Sequence, residues 1–192
     1  MTGIQTQPET QRILHESQER FIALWGQMAS SWGISRSMAE VHALLYLSDE
    51  TLNTDDMMSR LDISRGSASM TLRSLLDWGV ISRVHRRGDR KEYFSAEQDV
   101  WKLFRTILRE RKKREIEPLL DELLICRDLS AMLNPGRKKR KLDPEAARLK
   151  ALNDRLDNMI EFVEMINSVS NHLMNSSGKG LELAVKLLSK AS

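Results

Sequence analysis

The chain has 192 residues, 41% apolar and 30% charged, with 9 glycines and 4 prolines, which excludes collagen-like and low-complexity disordered classes. A single cysteine, Cys126, excludes a disulfide scaffold and fits a reducing compartment. The net charge of +3 is uneven: residues 98–141 hold thirteen Lys/Arg against seven Asp/Glu, whereas residues 34–97 hold nine against ten.

The N-terminal MTGIQTQPET has no basic start followed by an apolar run, so no signal peptide is expected. No apolar run approaches the roughly 18 residues of a membrane span. A cytoplasmic protein without a membrane partner is the expectation. Residues 9–32 read as one long helix, with Ile13, Phe21, Trp25, Met28 and Trp32 at helical steps and Gly33 at its end. A second helix is expected over 37–48, opened by a Ser37–Glu40 capping box, with Val41, Leu44, Leu45 and Leu47 inward.

In LNTDDMMSRLDIS, Thr54 is the expected N-cap, and Asp55 and Asp56 suit the positive end of a short helix. Ser64 then caps a helix over 64–78. Ala68, Leu72, Leu75 and Leu76 form its inward stripe. Gly66, Ser69, Met70, Arg73 and Asp77 form the opposite face, and Gly79 ends the helix. VISRVH and KEYFSA read as short strands around the basic turn RRGDR. Two helices, a tight turn and a basic-tipped hairpin make a winged helix-turn-helix pattern.

Beyond it, residues 98–125 are helical, with Pro118 expected to kink or split them. NPGRKKRKLDP is a basic linker over 134–144. Leu149, Leu152, Leu156, Met159, Val163 and Ile166 follow a 3-4-3-4-3 spacing, extended by Leu142 and Leu173. That heptad implies packing against another helix, in the same chain or, as the length favours, in a second subunit. A final short helix is expected over 181–190. The expected fold class is mainly α with a small β-hairpin wing. Its parts are an N-terminal dimerisation helix (1–33), the winged domain (34–97), a linker helix (98–133), the basic linker (134–144) and coiled-coil-like dimerisation helices (145–192).

The second helix of a helix-turn-helix enters the DNA major groove with its N-terminal residues toward the base edges. Gly66, Ser67 and Ser69 keep that end slim enough for a groove about 12 Å wide. Ser64, Arg65 and Arg73 suit phosphates or guanine edges, and Met70 a thymine methyl. On the wing, Arg86, Arg87, Arg90 and Lys91 surround Gly-Asp, a tip suited to the minor groove. Asp89 is expected to pair with a neighbouring arginine. The RKKRK run at 137–141 can touch flanking phosphates or stay a solvated linker.

Residues 37 to about 104 resemble the MarR family of bacterial winged-helix regulators, most closely its GbsR-like branch. The residues that carry the resemblance are ISRGSASMTLRSLLDWGVISRV, GDRKEYFSAEQDVWKLF and RERKKREIEPLL. The resemblance implies a homodimer on a pseudo-palindromic operator in double-stranded DNA, usually repressing, with a small ligand as effector. It places Ser64, Arg65, Gly66, Ser67, Ser69, Met70 and Arg73 on the recognition helix and Arg86, Arg87, Asp89, Arg90 and Lys91 on the wing. Its branch suggests choline-like effectors, and Trp25, Trp32, Tyr46 and Trp101 are the aromatic candidates to hold a quaternary amine.

Catalysis finds no support in the residues. His15, His42, His85 and His172 lack metal-ligand spacing, and no nucleophile elbow or phosphate loop is present. No metal or cofactor is expected. Cys126 reads as a small buried residue. The alternative function is a winged-helix protein-interaction module that does not bind DNA specifically.

Overall fold

The computed structural model describes residues 7–132 and 144–175. The basic run at 137–141, Leu142 and the expected helix over 181–190 lie outside the described residues. The chain divides into two compact units, one ending at Leu103 and the other starting at Phe104.

The first unit begins with α1 (Gln7–Ser31) and α2 (Arg36–Leu47), which pack along each other. Gly26 permits their close approach, because a Cβ there would stand 2.8 Å from Cγ of Glu40. The α2 start differs from expectation. Its N-cap is Ser35, without a side-chain cap bond, and Glu40 pairs with Arg36 at 2.7 Å instead of closing a capping box with Ser37. A charged partner one turn away on the same face outcompetes the weaker cap bond.

A two-residue strand, β1 (Leu52–Asn53), leads directly into α3 (Thr54–Leu61). Here Asn53, not Thr54, is the N-cap. Its side chain accepts the N–H groups of Asp55 and Asp56, and Asp56 accepts the N–H of Asn53 in return. The helix stops at Asp62, whose φ of 51° is left-handed. After Ile63, Ser64 caps α4 (Arg65–Asp77) by accepting the N–H of Ser67 at 3.2 Å.

The inward side of α4 is Ala68, Thr71, Leu72 and Leu75, while Leu76 is only half-buried. The stripe is therefore rotated slightly toward Thr71. It packs on α2, where Val41, Ala43 and Leu45 are almost wholly buried. β2 (Ile81–Val84) and β3 (Tyr93–Ala96) form the hairpin, and β1 pairs with the far edge of β3. The sheet is three antiparallel strands in the order β1-β3-β2. Its outer strand β1 is two residues long, too short for alternation to reveal it in the sequence. A helix-turn-helix followed by this hairpin is a winged helix-turn-helix.

α5 (Val100–Arg111) spans the boundary between the units. A π-helical turn, Lys112–Ile116, then separates it from α6 (Glu117–Met132). The segment is thus split before Pro118, which occupies the first turn of α6, where its missing N–H costs no bond. Within the second unit α6 packs against α7 (Pro144–Asn175). Polar pairs mark that seam: Arg127 with Asp157 at 2.5 Å, and Ser130 with Asn153. Cys126 is exposed on α6, contrary to the expected burial, because the inward positions are Leu123, Arg127 and Ser130.

His42 lies at the α1–α2 contact, 5% exposed, with Nε2 unpaired among the described residues. Its ring stacks with Trp25 and Tyr46, each at 6.2 Å, and Phe21 stacks on both of those at 5.7 and 6.4 Å. Burial lowers its pKa from 6.5 to about 4, since the charged imidazolium loses its hydration there. The unfolded chain therefore takes up this proton first as pH falls. Stability held above pH 6.5 is lost toward pH 4. Between pH 7 and pH 5 the loss from this group is about 2 kcal/mol. Urea unfolding at both pH values measures it, and His42→Phe abolishes that component.

Candidate nucleic-acid interface

The outward side of α4 carries Arg65, Gly66, Ser69, Met70 and Arg73, all exposed. Ser64 is exposed at the cap, and Ser67 is half-buried. The face is slim because its first turn holds a glycine and two serines, while the opposite stripe anchors the helix. Met70 is 71% exposed, an unfavourable place for a thioether in water. Arg73 makes no side-chain hydrogen bond or ion pair among the described residues, so its guanidinium is available.

The wing tip is longer than the five-residue turn RRGDR. Val84 pairs with Tyr93, so eight residues, 85–92, bridge the two strands. Gly88 sits at φ 85°, and the N–H of Asp89 reaches the carbonyl of Arg86 at 3.2 Å. Asp89 holds the tip, but through other partners than the expected arginine. It accepts the N–H of Lys91 at 2.9 Å and the phenol of Tyr93 at 2.7 Å. Those bonds keep its carboxyl below the usual range.

Two basic side chains tie the tip to the body. Arg86 donates to the hydroxyl and the carbonyl of Thr51, both at 2.9 Å, and lies over the Tyr93 ring at 4.1 Å. Lys91 donates to Asp55 at 3.1 Å, and Arg65 reaches the other oxygen of the same carboxylate at 2.8 Å. The hydrogen bond from Lys91, then the charges of Lys91 and Arg65, hold the Asp55 carboxyl below its ordinary value. Arg87 and Arg90 are exposed, and their side chains carry no bond or ion pair among the described residues. Of the expected wing residues, Arg87 and Arg90 are thus the available cations. Arg86, Asp89 and Lys91 are engaged in holding the tip.

Residues 32–92, the segment that carries this helix and wing, match the MarR family model. The chain carries a MarR-family domain. It is similar to the HTH-type transcriptional repressor GbsR of Bacillus subtilis, 33% identical over 86 residues, which are 45% of this chain and 47% of that one. The chain thus spans about half the length of that relative. The putative HTH-type transcriptional regulator YvaV of Bacillus subtilis is 21% identical over 126 residues, 58% of this chain and 71% of that one. A crystal structure of a transcriptional regulator covers 81% of this chain and 99% of its own, at 21% identity and a TM-score of 0.49.

The aromatic candidates differ in their surroundings. Trp25 and Tyr46 belong to the stacked layer with Phe21 and His42, so their faces are turned on protein rings. Trp32 lies just past the end of α1, 52% exposed, and Trp101 is half-buried at the start of α5. Among the described residues no group of His, Cys, Asp or Glu could hold a metal ion. No described helix is long and apolar enough to cross a membrane.

Sequence reasoning missed Thr51, Asp55 and Tyr93 as parts of the site. One signal was present: NTDD holds one acid more than a capping box uses. Thr51, the hydrogen-bond partner of Arg86, lies 35 residues away in the chain, and no local pattern reports it.

If Arg86 clamps the wing, Arg86→Ala frees residues 85–92 without unfolding the domain. Amide hydrogen exchange in that segment should accelerate, while the global unfolding free energy changes by less than about 1 kcal/mol. Unchanged exchange at the tip would refute the clamp.

Proposed function

We propose that this protein is a sequence-specific DNA-binding transcriptional regulator, acting in the cytoplasm as a homodimeric repressor on a pseudo-palindromic operator. One observation carries the reading. A slim polar helix face with available Arg73 and Met70 stands beside a braced wing whose Arg87 and Arg90 are unpaired among the described residues. The similarity to a protein named a transcriptional repressor supports the sign of regulation.

In this reading α4 enters the major groove. Ser64, Ser67 and the N–H groups at its start hold phosphate, which fixes register without reading sequence. Arg73 and Ser69 address base edges, and Met70 packs on a thymine methyl. Arg87 and Arg90 enter the adjacent minor groove, where narrow A·T tracts concentrate negative potential.

The second subunit is proposed to dock through α7. Up to Ser170, the less exposed positions of that helix are Leu149, Asn153, Leu156, Ile160, Val163, Asn167 and Ser170. They recur every three or four residues on the side that meets α6. Leu152, Met159, Phe162, Ile166 and Val169 form a neighbouring stripe, each 38–53% exposed. The six expected dimerisation residues are therefore shared: Leu149, Leu156 and Val163 face the chain's own α6. Leu152, Met159 and Ile166 lie on the open stripe. Such a repeating apolar stripe on a 32-residue helix is what a second helix covers. The stacked layer at Trp25 and Tyr46 is filled by its own rings, so the proposal assigns it no quaternary-amine effector.

Selection of bound DNA from a random pool tests the reading: a preferred site with two related halves is expected. Binding no tighter than to random duplex at physiological salt overturns it. On the recovered site, Arg73→Ala should cost about 1–3 kcal/mol and relax preference at one position, whereas Arg87→Ala should weaken binding most on sites with A·T-rich flanks. Phe162→Glu should convert the dimer to monomer in sedimentation velocity at micromolar concentration. A dimer that survives it excludes the α7 stripe as the interface.

A further inference from the structure

Asp55 sits where three elements of the first unit meet. It lies in the first turn of α3 and holds Arg65, the first residue of α4, at 2.8 Å. Its other oxygen holds the ammonium of Lys91, two residues before β3, at 3.1 Å. The adjacent Asp56 is fully used by the helix start, since its carboxylate accepts the N–H of Asn53. Capping therefore explains Asp56, whereas Asp55 adds to α3 only its charge at the positive helix end.

A contribution to folding explains little either. Asp55 is half exposed, and the side chains of Arg65 and Lys91 are 73% and 54% exposed. Exposed ion pairs are screened and contribute little to stability. What distinguishes this carboxylate is its choice of partners. It neutralises one cation of the recognition helix and one of the wing, the two elements proposed to touch DNA.

We propose that Asp55 is a specificity-determining residue that suppresses binding to random DNA by competing with phosphate for Arg65 and Lys91. The inference rests on the DNA-binding reading above. A duplex that engages the helix start or the wing alone exchanges one anion for another, with small gain. A site whose backbone suits both elements together supplies two phosphates for one carboxylate. The exchange then favours DNA. Discrimination arises because the two cations share one competitor.

The test uses the full chain as wild type, Asp55→Asn and Asp55→Ser, with thermal midpoints confirming the fold. Serine and asparagine both suit a helix start, so neither variant removes a needed cap. Each protein is titrated across a salt series on two duplexes of equal length, the site recovered from the random pool and a random sequence. Both variants should bind the random duplex about fivefold tighter at physiological salt, with a log K against log salt slope steeper by about 0.9. Affinity for the recovered site should rise less, so the ratio of the two falls. Adding Arg65→Gln and Lys91→Gln together to Asp55→Asn should cancel most of the gain.

Two results overturn the proposal. One is unchanged affinity and slope on the random duplex. The other is equal weakening on both duplexes, which would make Asp55 only a brace for the wing. A pool that yields no preferred site overturns the DNA-binding reading itself, a separate outcome measured on wild type alone.

Discussion

The winged domain depends on one constraint: α4 is held by a single inward stripe. Ala68, Thr71, Leu72 and Leu75 are buried against α2, and burying leucines of this kind contributes about 1.5–3 kcal/mol each. Because that stripe suffices, the opposite face carries no packing duty. It can hold glycine, two serines and an exposed methionine, choices that would weaken a helix required to bury both sides. The cap at Ser64 offsets the poor helix propensity of that first turn by closing one N–H.

The wing has the reverse problem. It is an eight-residue loop with four basic side chains, which repel one another and have little apolar surface to fold around. Its order comes from long-range polar bonds. Asp89 gathers the tip from within, Arg86 ties it to Thr51 and the Tyr93 ring, and Lys91 ties it to Asp55. The bracing uses some of the positive charge and leaves Arg87 and Arg90 unpaired among the described residues. A loop with every cation free would be more attractive to phosphate and less defined in shape.

The α6–α7 hairpin places polarity and apolarity in an unusual order. Its internal seam includes Arg127–Asp157 and Ser130–Asn153, whereas Met159, Phe162 and Val169 are about half exposed on the neighbouring stripe. Polar pairs in a seam fix register at some cost in stability. An apolar outer stripe is costly in a lone chain, and that cost motivates the proposed second subunit.

The sequence by itself determined the helices, their order and the winged architecture, since helical period, caps and turn residues act over a few neighbours. The stripe Ala68–Leu72–Leu75, the Ser64 cap and the heptad of α7 were all readable there. Local competition shifted details by one residue, as when Asn53 displaced Thr54 because its longer side chain reaches two N–H groups. Tertiary structure decided which charges are spent. Arg86 and Arg87 are adjacent and alike in sequence, yet one is bound to Thr51 and the other is open. It also divided the heptad between an internal seam and an open stripe, and made Asp55 a junction as well as an anion at a helix start. Such assignments rest on contacts between residues far apart in the chain. Distance between side chains, unlike helical period, is not encoded in any short stretch.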